Sequence, residues 1–147
     1  MKTGVPLLLL VENDELLADI TAFRLELLGY DVLCLRTAKD ALQRLQEDPL
    51  PSMLITDTVL PDMNGLDFIS KLNAADRTHS IPIIALSLDA DLAAVQKAHR
   101  AGAKDYLVLP YDPAVLEQKV QNQIDKIAQQ NKEAAKDAKS KKLVTSN

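Results

Sequence analysis

The segment LITDTVLPDMNG, residues 54–65, constrains the fold of this chain more than any other stretch. Three apolar or β-branched residues, Leu54 to Thr56, lead into Asp57 and predict a buried strand. A proline and an Asn-Gly pair follow and mark a turn. Asp57 is therefore predicted at the carboxyl end of a strand, where ligands gather in an open parallel sheet. An aspartate at such a place is also typical of a simple turn cap, so both interpretations stay open on this segment alone.

The rest of the chain alternates between strand-like and helix-like segments. Strands are predicted at residues 5–11, 31–35, 54–57, 83–86 and 106–109. Helices are predicted after each of them, beginning at N-caps such as Asp14, Thr37 and Asp112. In the first helix, apolar residues recur at steps of four, three and four and form one face: Leu16, Ile20, Phe23 and Leu27. Five strands alternating with five helices predict a doubly wound α/β fold with right-handed crossovers.

Length, composition and charge narrow the class of protein. At 147 residues and 47% hydrophobic, the chain is long enough for one α/β domain, predicted over residues 1–130. Residues 131–147 form a basic, Ala- and Lys-rich tail, predicted to be partly helical or disordered, with a net charge of +3 against −7 for the rest. The acidic body makes a nucleic-acid partner an unfavoured interpretation.

Cellular location is predicted from two further features. The first apolar run is too short to span a membrane and lacks a cleavage site, so no membrane association is expected. Cys34 is the only cysteine, which excludes an intrachain disulfide, and its place in an apolar run predicts a small buried side chain. Both features favour a reducing, cytoplasmic compartment.

The central segment resembles a known family. Asp57, Pro61, Asn64 and Gly65 match in register the D-x-x-x-P-x-x-(D/N)-G segment of CheY-like receiver domains, the response regulators of two-component signalling. The resemblance covers about residues 7–127 and implies a flavodoxin-like sheet of five parallel strands in the order 2-1-3-4-5. It also implies that Asp57 is the phosphoryl acceptor. Such a domain is not an enzyme, beyond catalysing phosphoryl transfer onto its own aspartate.

The resemblance further implies a Mg²⁺ site made by Glu12, Asn13, Asp57 and the backbone carbonyl of Val59. Hard divalent cations favour carboxylate oxygens, and here Asn13 stands where the family has a directly binding acid. Mg²⁺ is therefore expected to bind weakly or not at all.

Ser87 and Tyr106 match the family's switch residues, the hydroxyl and the aromatic ring that respond to phosphorylation. Two other positions depart from the family pattern: Leu88 replaces a small residue, and Leu109 replaces the lysine that reaches the acceptor. Pro110 remains and is a candidate for a cis peptide bond. Leu109 is expected to pack on Leu88 and Tyr106 as an apolar lid over Asp57, because burial of a leucine is favourable.

Two functions follow from the resemblance. The first is a phosphorelay receiver that takes a phosphoryl group at Asp57 from a histidine kinase or phosphotransfer protein. Its output to a downstream protein would use the face of the fourth helix, fifth strand and fifth helix, which is also a candidate homodimer surface. The alternative, favoured by Asn13, Leu88 and Leu109, is a phosphorylation-independent pseudo-receiver that acts as a protein-binding module. A nucleotide- or flavin-binding enzyme is unfavoured, because VENDELLAD after the first strand contains no glycine.

Overall fold

The structure, a computed structural model, describes residues 4–145, with side chains described up to residue 139. Strands and helices alternate through this part of the chain. The strands are β1 (Leu7–Val11), β2 (Asp31–Leu35), β3 (Met53–Asp57), β4 (Ile83–Ser87) and β5 (Asp105–Val108). The helices are α1 (Glu15–Leu27), α2 (Ala38–Arg44), α3 (Gly65–Ala74), α4 (Leu92–Ala101) and α5 (Pro113–Thr145).

The five strands form one parallel sheet in the order β2-β1-β3-β4-β5, which confirms the predicted topology. The register brings the carboxyl ends of the central strands together. Val11 lies beside Thr56, and Asp57 lies beside Leu86. Side chains that follow β1, β3 and β4 therefore meet at one edge of the sheet.

Two apolar layers cover the two faces of the sheet. One layer holds side chains of α1 and α5 against β1, β3 and β4, and includes Leu25, Leu116 and Val120. The other holds side chains of α2, α3 and α4 and includes Phe68. Two helices therefore cover one face and three cover the other, which confirms the predicted doubly wound arrangement.

The predicted N-caps are confirmed by their hydrogen bonds. The Asp14 carboxylate accepts from the Leu17 amide at 3.1 Å, and the Thr37 hydroxyl accepts from the Asp40 amide at 3.0 Å. Each bond satisfies a backbone donor that has no partner within the helix. The Asp14 cap fixes the start of α1 directly after the carboxyl end of β1.

The apolar face that the sequence picks out on α1 is not the face that packs on the sheet. Residues Ala18, Thr21, Ala22 and Leu25 are buried instead. The sequence pattern indicates the wrong face because small side chains let a helix pack closely on a sheet. The larger apolar residues of α1 therefore lie on the opposite side of the helix.

The prediction that Cys34 is buried is wrong, since this residue is exposed. β2 is an edge strand with a neighbouring strand on one side only, which leaves the Cys34 side chain exposed at the rim of the sheet. Partial burial and the nearby Asp19 and Glu26 carboxylates raise the pKa of its thiol, which disfavours the reactive thiolate.

Helix α5 continues well past the part that packs on the sheet. It runs to Thr145, so the described portion of the basic tail is helical. Residues 128–139 of this helix are all exposed. The last α5 side chain that packs against the core is Ile124. Within residues 4–145, no helix is both long and apolar enough to cross a membrane.

Candidate functional site

Asp57 ends β3 at the carboxyl edge of the sheet, where the sequence predicts it. Its carboxylate is half-buried, and Oδ1 accepts a hydrogen bond from the Val59 amide at 2.8 Å. This bond ties the acid to the loop that follows β3 and fixes its orientation.

Glu12, directly after β1, is the most buried acid of the site, with 3% of its surface exposed. Its Oε1 accepts from the Asp14 amide at 3.1 Å, whereas Oε2 is buried without a hydrogen-bond partner. Burial, together with the neighbouring Asp57 carboxylate, raises the pKa of Glu12 to about 7. An orphaned carboxylate oxygen beside a second carboxylate is an arrangement that a cation would stabilise.

A cavity of about 830 Å³ opens in front of these two acids. The predicted metal set lines it together: Glu12, Asn13, Asp57 and Val59. Among the described residues, no three His, Cys, Asp or Glu side chains cluster in a way that could hold a metal ion. Any divalent cation here would therefore need neutral oxygens, such as the Asn13 amide and the Val59 carbonyl, besides the two carboxylates.

The loop after β3 is held by the residues of the central motif. A Cβ on Gly65 would lie 2.4 Å from the Asp57 carbonyl oxygen, so only glycine fits against the end of β3. The Asn64 side chain caps α3 by accepting from the Leu66 amide at 2.8 Å. Packing and capping alone therefore explain why Asn64 and Gly65 stand seven and eight residues after Asp57.

Asp62, which sequence reasoning did not single out, joins this loop to α2. Its two carboxylate oxygens accept from the Lys39 and Ala38 amides, each at 2.9 Å. These backbone hydrogen bonds lower the pKa of Asp62. The available signal was its place within the turn, where it directly follows a proline in a Pro-Asp pair typical of loops.

Ser87 and Tyr106 are connected through the turn after β4. The Ser87 hydroxyl accepts from the Asp89 amide at 3.1 Å, and the Tyr106 hydroxyl donates to the Asp89 carbonyl at 2.6 Å. Ser87 also lines the cavity in front of Asp57, whereas Tyr106 lies on the side of α4. Asp89, also missed by the sequence reasoning, therefore bridges the two predicted switch residues.

The predicted lid of Leu109, Leu88 and Tyr106 over Asp57 does not form. Leu109, directly after β5, packs with the α1 and α5 layer, whereas Tyr106 on β5 packs with the other layer, as alternation along an extended chain leads one to expect for residues three apart. Leu88 turns outward with 80% of its surface exposed. Leu88 and Leu109 line the cavity without closing it, and the Leu109–Pro110 peptide bond is cis.

Comparison with known proteins identifies this arrangement. The family model of the response regulator receiver domain matches residues 8–121, most of the chain. The chain belongs to the response-regulator receiver family. It is a CheY-like receiver of two-component signalling.

Individual relatives agree with the family. The receiver is 36% identical to chemotaxis protein CheY1 of Helicobacter pylori over 115 residues, which cover 78% of this chain and 93% of that protein. It is 33% identical to a chemotaxis protein CheY homologue of Campylobacter jejuni, covering 78% and 89% of the two chains. A solved structure of a putative response regulator from Chloroflexus aurantiacus superposes with a TM-score of 0.79 at 30% identity, covering 83% and 99%.

Proposed function

We propose that Asp57 accepts a phosphoryl group from the phosphohistidine of a histidine kinase or phosphotransfer protein. The observation that supports this most is the placement of Asp57. It ends the central strand β3, is oriented by the Val59 amide, and faces an open cavity whose mouth is closed by no side chain among the described residues. A macromolecular phosphodonor needs such direct access to the carboxylate.

In the proposed reaction, an Asp57 carboxylate oxygen attacks phosphorus as the phosphorus–nitrogen bond of the donor breaks in line with it. Receiver domains bind Mg²⁺ at the phosphorylation site, where the ion neutralises charge on the phosphoryl oxygens. Glu12, Asn13, Asp57 and the Val59 carbonyl are the groups that would hold it. The unpartnered Glu12 Oε2 is consistent with a cation at this place.

Two departures weaken this chemistry. The neutral Asn13 lowers the negative charge available to the metal, so affinity for Mg²⁺ should be low. Leu109 supplies no ammonium group to the acceptor, and a charge-assisted hydrogen bond of about 1.5 to 3 kcal/mol is lost from the charged state. Phosphorylation of the proposed receiver is therefore slow. The receiver catalyses this transfer onto its own Asp57 and is not a classical enzyme.

The output of the proposed receiver runs from Ser87 through Asp89 to Tyr106. A phosphoryl oxygen that draws the Ser87 hydroxyl would release its bond with the Asp89 amide and alter the turn that holds the Tyr106 hydroxyl. Tyr106 lies next to α4, so the change reaches the α4-β5-α5 face. A downstream protein in the cytoplasm would bind to that face and respond to the change.

Incubation with a small phosphodonor and Mg²⁺, followed by intact-mass measurement, tests the proposal. The wild-type chain should gain the mass of one phosphoryl group and Asp57→Ala should gain none. An equal gain in both proteins would place the modification elsewhere. No gain in a folded wild-type chain would favour the phosphorylation-independent alternative.

A further inference from the structure

The turn between β3 and α3 is a closed loop with an acid at its tip. We call residues 58–64 the acceptor turn, because they directly follow the proposed phosphoryl acceptor. Val59 and Asn64 form an isolated antiparallel bridge across its base. The Gly65 amide donates to the Thr58 carbonyl at 2.9 Å. The two arms of the turn are therefore fastened to each other, so a displacement of the tip is passed on to the base.

Asp62 ties the tip of this turn to α2. Its two carboxylate oxygens accept from the Ala38 and Lys39 amides, each at 2.9 Å, across 24 and 23 residues of chain. α2 has only seven residues, and an isolated helix of that length is not stable in water. Hydrogen bonds from the first amides of a helix to a carboxylate are charge-assisted and stronger than neutral ones. The two Asp62 bonds therefore stabilise the start of α2 and the turn together.

The Asp62 bonds and the apolar contacts of the turn hold it in different ways. Leu60, which is 8% exposed, and Met63 pack against the layer of α2, α3 and α4, whereas Pro61 and Asp62 are exposed. Apolar burial has no preferred direction, so these contacts fix how deep the turn lies. Hydrogen bonds weaken steeply when donor and acceptor are misaligned, so the Asp62 bonds fix the angle of the turn.

The angle of the turn is important because its base carries the group that orients the acceptor. The Val59 amide donates to Asp57 Oδ1 at 2.8 Å. The neighbouring Thr58 amide donates to the Leu86 carbonyl of β4 at 2.9 Å and anchors the base to the sheet. A rotation of the turn about this anchor would move the Val59 amide relative to the carboxylate.

We propose that Asp62 is a positioning residue for Asp57. Its bonds to α2 hold the acceptor turn at the angle at which the Val59 amide meets the acceptor carboxylate. Among the described residues, none of α2 lines the cavity in front of Asp57, so α2 acts on the site only through the turn. The effect on phosphorylation rests on the proposed function, whereas the effect on the Val59 amide does not.

Amide hydrogen exchange, followed by NMR on the full chain without a phosphodonor, tests the positioning itself. In Asp62→Ala the Val59 amide should exchange about three- to tenfold faster than in wild type, because its bond to Asp57 is held less firmly. Thr37→Ala is the matched control, since the Thr37 hydroxyl caps the same helix through the Asp40 amide instead of through the acceptor turn. It should loosen the start of α2 and leave the exchange of Val59 unchanged.

The rate of phosphorylation at Asp57, with saturating small phosphodonor and Mg²⁺, extends the test to the reaction. Asp62→Ala should slow it about tenfold, since a misplaced reacting group lowers the rate. Asp62→Asn keeps one acceptor oxygen for α2 and should slow it less. Thr37→Ala should leave the rate unchanged. Circular dichroism melting checks that each variant is folded, and Asp62→Asn gives the same comparisons if Asp62→Ala is not.

The two measurements separate this proposal from the proposed function. Equal exchange of Val59 in Asp62→Ala and Thr37→Ala would overturn the positioning role, whether or not the chain is phosphorylated. Faster exchange in Asp62→Ala alone would support it, even in a chain that gains no phosphoryl group, which would refute the proposed function only. A chain that is phosphorylated as fast in Asp62→Ala as in wild type would also overturn the positioning role.

Discussion

At the scale of single residues, Glu12 has the protonation equilibrium that the fold changes most. Its pKa rises from the ordinary 4.5 to about 7, so the folded chain keeps a proton there that the unfolded chain has already lost. The free energy of unfolding should therefore fall as pH rises from about 4.5 to about 7. A pKa change of this size corresponds to a total loss of about 3 kcal/mol across that pH range.

The Glu12→Gln variant tests this pH dependence. Its urea unfolding, measured without Mg²⁺ between pH 5 and pH 8, should show a flatter profile and greater stability than wild type at the upper end. Glu15→Gln, an exposed acid of α1, serves as the control and should keep the wild-type slope. The same slope in Glu12→Gln and wild type would contradict the buried, proton-holding Glu12.

Asn13 sets the affinity for metal at the same edge of the sheet. We expect no Mg²⁺ binding in the submillimolar range, because the site offers two carboxylates and otherwise neutral oxygens. Asn13→Asp should tighten binding by adding a charged oxygen to the cavity rim. Isothermal titration calorimetry measures both proteins, and submillimolar affinity in wild type would refute the expectation.

Gly65 shows how packing fixes one residue of the central motif. An added Cβ would lie 2.4 Å from a backbone oxygen of β3, and the backbone on both sides would have to shift. Gly65→Ala should lower the free energy of unfolding by about 3 kcal/mol. Ser70→Ala on the exposed side of α3 should change it by less than about 0.5 kcal/mol in the same denaturation experiment. A Gly65→Ala chain as stable as wild type would show that the loop has room.

At the scale of elements, α1 shows which structural features a sequence pattern predicts and which it does not. The periodicity of apolar residues predicts the helix and its Asp14 cap correctly, because both depend on local geometry. It does not tell which apolar face is buried, since Ala18 and Ala22 pack on the sheet while larger residues face outward. That choice depends on how closely the helix approaches the sheet.

A pair of substitutions on α1 measures this difference. Leu25→Ala should cost about 2 to 5 kcal/mol, because Leu25 is fully buried and its removal leaves a cavity. Phe23→Ala should cost less than about 0.5 kcal/mol, since 60% of its surface is exposed. Chemical denaturation of both variants gives the comparison. Equal costs would mean that Phe23 packs in the core as Leu25 does.

The β5 strand shows that matching a motif does not predict which way a side chain points at the site. Matching residues to a motif predicts that Ser87, Leu88, Tyr106 and Leu109 lie near the acceptor. It does not give their directions, and the alternation of β5 places Tyr106 and Leu109 on opposite faces. The lid prediction failed because it needed two side chains on one face of a strand three residues apart.

At the scale of the whole molecule, the layering was predictable because each strand-helix unit has a short, right-handed connection, whereas the strand order was implied by the family resemblance. Because the strands are parallel, their carboxyl ends bring Glu12, Asp57 and Ser87 to one edge of the sheet, whatever the packing of individual side chains. Features that depend on long-range packing were not predictable. These include the anchoring of α2 by Asp62, the exposure of Cys34 on an edge strand and the continuous helix of the tail.

The time course of phosphorylation at Asp57 tests the central claim most directly. Wild type and the double variant Asn13→Asp with Leu109→Lys are incubated with a small phosphodonor and Mg²⁺, and the modified fraction is followed by intact mass. We predict slow modification of wild type at Asp57 and faster modification of the double variant, which regains an acidic ligand and an ammonium group. A double variant that is folded but stays unmodified, like wild type, would contradict the claim that this edge of the sheet is a phosphoryl-acceptor site.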